Sequence, residues 1–440
     1  MKKIFSLLAI VLIIASCTKT KNQQSVNLGS SENFQSIDIP LPNVISGVIS
    51  FRIDPSIDNV LTTDKGSKIT IPKGTLVDIS GNEITEKVEL KFEEFHDAKD
   101  IILSGIPMNY TTENGEMGSF ESAGMFNISA SFNGEEARIG NGKSVEVELA
   151  SFREESDFNF YEFDKSEGKW IDNGLAQEPV PNLEKESLLA SLMEDEPQRP
   201  IEIKKATSTD KVFDLAVDKN RNPEFAAFDN VMWKLADQET DVDSRLFSSV
   251  LRNPKLQCID NAKSVFTLTG FSGNTKLKTK VQPVLFGSNW KKARAKFQAK
   301  MADYKAEVAV QKEKRKKVER MASVTRTIQL SNFGTFNFDR LYHLKRKIQF
   351  NALFFIPAIK KVYKKGWLIQ GNEKIAIPYS RSGFYKFTFD PKVSNTVITF
   401  DEEGNLYEFT ADDFVKNASS FPSEDQEYTF KMRETGVIVD

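Results

Sequence analysis

The chain reads as a mostly β protein (α+β): an N-terminal antiparallel β-sandwich, a linker, and a β-rich C-terminal region with one long inserted helix. Three observations predict this. From Ile45 to about Trp170, short runs alternating apolar and polar residues are divided by Gly-, Pro- and Asn-containing turn signals at intervals of roughly 8 to 12 residues. Phe occurs 34 times in 440 residues, which fits cores where aromatics pack on pleated faces. Residues 289–321 contain neither Gly nor Pro, and at about 1.5 Å per residue a helix there is roughly 50 Å long.

Bulk composition sets the frame. A chain of 440 residues suggests two or three domains, and 40% hydrophobic with 28% charged residues describes a protein with material for real cores. The formal net charge of -3 supplies no global field favouring nucleic acid or acidic substrates. The two cysteines are Cys17 and Cys258. If Cys17 is modified, Cys258 has no partner within the chain and is expected as a buried apolar filler rather than a nucleophile.

Taken in order, the chain begins with Lys2 and Lys3, followed by an apolar run from Ile4 to Ala15 broken only by Ser6. Such a run spans roughly 18 Å as a helix, short of the roughly 30 Å hydrocarbon core, so residues 1–17 read as a secretory signal rather than a span. The ending Ile14-Ala15-Ser16-Cys17 resembles the lipobox of bacterial lipoproteins. That resemblance implies cleavage before Cys17 and acylation of the cysteine as the mature amino terminus. Residues 18–40, polar and rich in Ser and Asn up to Phe34, read as a flexible tether. Thr18, Lys19 and Thr20 replace the Asp that retains such proteins in the inner membrane. The resemblance therefore implies the outer membrane, and the lack of an acidic run after Cys17 favours its periplasmic face. No later apolar run of 18 residues offers a membrane span.

Residues 45–175 are the predicted sandwich. Lys68-Ile69-Thr70-Ile71 alternates and meets the turn Pro72-Lys73-Gly74; Ser80-Gly81-Asn82 turns the chain into Lys87 to Phe92; Phe126 to Phe132 and Val145 to Leu149 repeat the pattern. The piece from Gly66 through Ile69-Thr70-Ile71-Pro72-Lys73-Gly74 to Leu76, with a strand about ten residues on, resembles the β-sandwich domain of zonula-occludens proteins and netrin receptors. This implies a binding and coupling module without catalytic residues. The strings Glu94 to Ile101, Ser104 to Met108 and Phe120 to Phe126 are similar to those of uncharacterised envelope lipoproteins, which implies a family but no activity.

Residues 177–206, with Pro179, Pro181, Pro197 and Pro200 around an acidic helical piece capped at Asn182, read as an inter-domain linker. A β-rich domain is expected over 212–440. It opens with a helix near Phe225 to Ala236, then strands at Ser264 to Gly270 and Lys276 to Leu285. The long helix follows, with Ser288 as its cap and Trp290, Phe297, Met301, Tyr304 and Val308 on one stripe, so its first half should pack and its second half project. Strands resume at Val324 to Leu330, with a turn-rich aromatic piece at Asn332 to Asp339 and a short helix at Thr410 to Asn417.

The chemistry on offer is sparse. Glu93, Glu94, His96, Asp97 and Asp100 form the one cluster with metal-ligand character. Strand alternation puts Glu94 and His96 together and turns Glu93 and Asp97 away, and the second histidine, His343, lies far along the chain. A polar loop at a sandwich end is the expected reading, and no cofactor is expected. A Ser-His-acid relay lacks its Gly-x-Ser-x-Gly turn. Gly140-Asn141-Gly142-Lys143-Ser144 ends like a phosphate loop, but it lacks the earlier glycine and precedes a strand, so a hairpin turn is expected. Between Lys291 and Arg320 twelve Lys/Arg face four Asp/Glu, which makes Lys312, Lys314, Arg315, Lys316, Lys317 and Arg320 the partner-binding candidates.

The expected function is a lipid-anchored envelope protein with a binding or scaffolding role, meeting the membrane through its anchor and an envelope protein or glycan through its β domains, without enzymatic activity and without nucleic acid. The alternatives are a metal-dependent hydrolase of envelope polymers and a docking protein acting through the basic helix.

Overall fold

The computed structural model describes residues 40–41, 47–111, 117–215, 225, 228, 230–236, 251–342, 347–371, 375–380 and 386–437. Residues 1–39, which include Cys17 and the stretches read from sequence as signal and tether, lie outside them, as does His343. The protein is mostly β, with several antiparallel sheets and one long helix, and it forms two compact units: residues 1–183 with 321–440, and residues 184–320.

The first stretch of unit one carries β1 (Ile49–Ile53), β2 (Asn59–Thr62), β3 (Lys68–Ile71), β4 (Leu76–Val77), β5 (Val88–Phe95), α1 (Ala98–Ser104), β6 (Asn109–Thr111), β7 (Met117–Phe132), β8 (Glu135–Ile139), β9 (Val145–Ser151), β10 (Asn159–Asp164), β11 (Lys169–Leu175) and β12 (Val180–Pro181). Unit two holds α2 (Leu183–Glu194), β13 (Lys204–Lys205), β14 (Val212–Phe213), β15 (Met232–Leu235), β16 (Arg252–Asp260), β17 (Val265–Ser272), β18 (Thr275–Leu285) and α3 (Gly287–Glu319). The chain then returns to unit one with β19 (Val324–Leu330), β20 (Gly334–Tyr342), β21 (Ile348–Ile356), β22 (Lys361–Tyr363), β23 (Lys365–Gln370), β24 (Ile375–Ser380), β25 (Phe387–Phe389), β26 (Asn395–Phe400), β27 (Asn405–Phe409), α4 (Ala411–Lys416), β28 (Glu427–Lys431) and β29 (Arg433–Val437).

Two sheets make the first sandwich. One runs β1-β5-β7-β20-β10-β11, with β4, β6 and β8 at its side, and the other runs β12-β19-β9-β3-β2. Alternation drives their closure. Val88, Leu90 and Phe92 of β5 are fully buried, as are Ile69 and Ile71 of β3 and Val145, Val147 and Leu149 of β9, and they share one core with Phe126, Phe160, Phe336 and Phe338. A second sandwich forms from β22-β21-β25 with β28, and from β24-β23-β26-β27-β29. Its core centres on Phe350, Phe354, Phe387 and Phe430. A third cluster joins the two sandwiches, with α1 residues Ile101 and Ile102 and the aromatics Tyr110, Phe120 and Trp170 against Trp367 and Phe400. Asp97 caps α1 by accepting from Asp100 N, and Gly105 ends it in the left-handed region at φ 67°. The Thr410 helix is α4, with a capping box between Thr410 and Asp413.

Several expectations are corrected. Residues 212–440 are not one domain. Strand β20 lies between β7 and β10 in the first sandwich, and β19 pairs with β9, so the polypeptide of unit two is inserted within the first sandwich. Its entry and exit are adjacent, because Asn182 N donates to Ser323 O at 3.0 Å and Pro181 pairs with Val324. The linker of 177–206 therefore contains strand β12 and helix α2. The helix expected over Phe225 to Ala236 is in part β15, whose Trp233 alternates into the core of unit two. The 140–144 turn is not a hairpin: Lys143 N closes it on Gly140 O at 3.0 Å, and it carries the chain from β8 in one sheet to β9 in the other.

Helix α3 starts at Gly287 with Phe286 at its cap, not Ser288. Its stripe is weaker than expected. Trp290, Phe297, Met301 and Tyr304 are only half-buried, Val308 is exposed, and the one buried residue is Val318 near the far end. Cys258 is exposed on the edge strand β16 rather than buried, and partial desolvation of its thiol pushes it up.

Candidate functional site

The Glu94 and His96 pair forms as alternation predicts. Glu94 shares the inward parity of Leu90 and Phe92, and His96 follows two residues on, each with a side chain only 4% exposed. His96 Nε2 stands 3.3 Å from Glu94 Oε2 but off the line of a well-directed hydrogen bond, so neither imidazole nitrogen is satisfied. Ser67 Oγ donates to the same Glu94 oxygen at 2.5 Å and accepts from Ala150 N at 2.8 Å. Burial pushes the Glu94 carboxyl up; the closeness of the His96 ring and hydrogen bonding from Ser67 and Thr63 outweigh it and hold the group below its ordinary value.

The remaining acids of the cluster turn elsewhere. Asp97 caps α1, while Asp100 Oδ2 accepts from Lys65 Nζ at 3.4 Å and from His96 N at 3.3 Å. Among the described residues no three His, Cys, Asp or Glu side chains converge on a metal position. The Ser67 hydroxyl faces the carboxylate and not the imidazole, the reverse of the order that activates a serine nucleophile. The arrangement is a buried polar clasp between β3, β5 and β9.

The basic candidates all lie on the exposed surface of α3: Lys312, Lys314, Arg315, Lys316 and Lys317, with Arg320 just past its end. Arg315 pairs with Glu319 at 3.0 Å and Lys316 with Glu313 at 2.8 Å, both within the helix. Helix α2 runs antiparallel beside this half. Gln311 Nε2 donates to Asp195 O at one end, and Lys185 Nζ donates to Glu319 O at 3.3 Å at the other. The acidic residues Glu184, Glu186, Glu194 and Asp195 thus accompany the basic run inside the same unit. Part of the charge that sequence alone offers to a partner is already met.

A charged assembly of unit one went unseen in the sequence because Arg326 lies 173 residues beyond Arg153. Three guanidinium groups, of Arg153, Arg326 and Arg340, lie 5.5, 4.9 and 4.9 Å from the centre of the Phe158 ring. Glu121 accepts from Arg153 and Arg340, each at 2.8 Å, and Asp157 takes Arg340 with both oxygens, at 2.7 and 2.8 Å. Arg326 is fully buried with no carboxylate within 4 Å among the described residues. It donates to Ser151 Oγ at 3.2 Å and to the carbonyls of Arg153 and Glu155. Burial lowers its guanidinium to about 10. The assembly ties β19 and β20, which follow the insertion, to the segment 151–158 that precedes it. The one sequence signal is Arg326 at an inward position of Val324-Thr325-Arg326-Thr327-Ile328.

A second buried acid, Asp339 on β20, is fully enclosed, and burial raises its carboxyl well above the ordinary range. It accepts from Asn337, whose side-chain oxygen accepts from Ser122 Oγ at 2.9 Å, so the three side chains form a polar chain inside the sheet. No helix among the described residues is long and apolar enough to cross a membrane. Comparison with protein-family models, curated proteins and solved structures finds no match.

Proposed function

We propose that this chain is a lipid-anchored envelope protein, held in the outer membrane through Cys17 and facing the periplasm, whose β units bind or scaffold other envelope components. The observation that carries the anchor is the run from Lys2 to Cys17: a basic start, an apolar stretch too short to span, and the Ile14-Ala15-Ser16-Cys17 ending. The binding role is supported by an architecture of stacked antiparallel sheets and by a 33-residue helix that buries one side chain, Val318, and so adds surface more than core. The buried polar groups of unit one serve packing: Glu94 and His96 close a clasp, and the arginines lock strands together.

The anchor is tested by metabolic labelling with palmitate in wild type and Cys17→Ala. Label in the first and none in the second is expected; equal labelling removes the anchor. The scaffolding role is tested by crosslinking in intact envelopes. Discrete heteromeric adducts are expected, and a protein recovered only as uncrosslinked monomer would argue against it.

A further inference from the structure

The sheet of unit two has two unlike faces. In β17, Phe266 and Leu268 enter the core while Thr267, Thr269 and Phe271 turn outward, and Phe271 is 39% exposed. The register carries that outward face across three strands. Lys278 and Lys255 flank Thr269, and Lys276 and Arg252 flank Phe271. Lys280 continues the row opposite Thr267, and all five cations are exposed. Strands β17 and β18 contain no acidic residue, and the single acid of β16, Asp260, sits at its end beside Lys263. Cations along β18 repeat at roughly 7 Å, and those of β16 lie about 10 Å away across two strand spacings. The result is a positive array spread over three strands with an aromatic side chain among the charges, and Ile259 is also exposed on β16.

We propose that this face docks on an anionic phospholipid surface. Charge complementarity argues for the ligand sign. Its shape argues for a surface rather than a strand-like polymer, because the cations spread in two directions instead of lining a groove. Phe271, set between Arg252 and Lys276, suits the headgroup boundary, where aromatic side chains settle beside basic ones. This contact is independent of acylation at Cys17, and it would lay unit two against a leaflet.

The test uses the full chain carrying Cys17→Ala, so that no acyl chain contributes, with sedimentation against vesicles of phosphatidylglycerol and phosphatidylcholine, and against phosphatidylcholine alone. Binding to the anionic vesicles only is expected, weakening as salt rises. Each cation near such a surface is worth about fivefold in affinity, so Lys255→Gln, Lys276→Gln and Lys278→Gln together should weaken binding about a hundredfold. Phe271→Ser should weaken it by a smaller factor while leaving the salt dependence unchanged. Neutralising Lys314, Arg315, Lys316 and Lys317 should alter it less than the sheet triple variant. Circular dichroism verifies that each variant is folded. Absence of binding to anionic vesicles, binding to a soluble polyanion in its place, or a folded triple variant that binds like the parent overturns the proposal.

Discussion

Replacing Phe336 by Ala tests whether the strands after the insertion belong to the first sandwich. Phe336 is 1% exposed, stacks on Phe160 at 5.6 Å and packs on Phe126 at 5.3 Å. Truncating a phenylalanine in such a site costs about 3–5 kcal/mol through lost transfer energy and the cavity left behind. With a urea slope of about 2 kcal/mol/M, the midpoint falls by about 2 M. Several units unfold in this chain, so a single global signal would mix transitions. Hydrogen exchange followed peptide by peptide across a urea series separates them. The structure predicts that Val88–Phe95 and Met117–Phe132 lose protection at the lowered midpoint together with Gly334–Tyr342, because all three are neighbouring strands of one sheet. If only 334–342 loosens while 88–95 and 117–132 keep the parent midpoint, the discontinuous sandwich is wrong.

Three further outcomes follow from the same geometry. Excising 184–320 and joining Leu183 to Met321 with a short Gly-Ser bridge should leave a folded unit one, since Asn182 N and Ser323 O are already 3.0 Å apart; loss of near-ultraviolet circular dichroism would contradict this. Glu94 has a folded-state pKa below its ordinary 4.5, so it stabilises the fold above that value and loses the contribution as pH falls through the depressed one. The gap in urea midpoint between parent and Glu94→Gln should therefore narrow as pH drops below about 4.5, and parallel pH profiles would refute the clasp. In a Cys17→Ala background, Cys258 should react with Ellman's reagent without denaturant, and its rate should keep rising above pH 9, because the thiol is exposed yet raised from its ordinary 9.0; a rate that levels off below pH 9 would contradict the raised value.

Local pattern was legible where one residue's environment follows from its neighbours in sequence. The alternation of Val88, Leu90 and Phe92 placed Glu94 and His96 on one face, and the run free of Gly and Pro over 289–321 gave α3 to within two residues at each end. Thr410 announced α4 as its cap, and the structure adds Asp413 as the reciprocal partner. What was not legible depends on pairing across long separations. Nothing local in Phe336 states that its cross-strand partner is Phe126, and no composition shift at Leu330 marks the return to an earlier sheet. The misread helix at Phe225 to Ala236 is a short apolar run whose period suits either structure, and the sheet partner β18 decided for β15. The α3 stripe misled in another way. Its apolar residues are correctly spaced, but spacing alone does not supply a partner surface, and the side chains stay half-exposed. The arginines around Phe158 and the cations of β16 to β18 were invisible for the same reason as Phe336: each is unremarkable alone and becomes a group through register.

The most direct test of the account is the mass of the amino-terminal peptide of the protein purified from its native membrane. A peptide beginning at Cys17 and carrying the added mass of acyl chains, with residues 1–16 removed, is expected. An unmodified Cys17, or a mature terminus elsewhere in the chain, would contradict it.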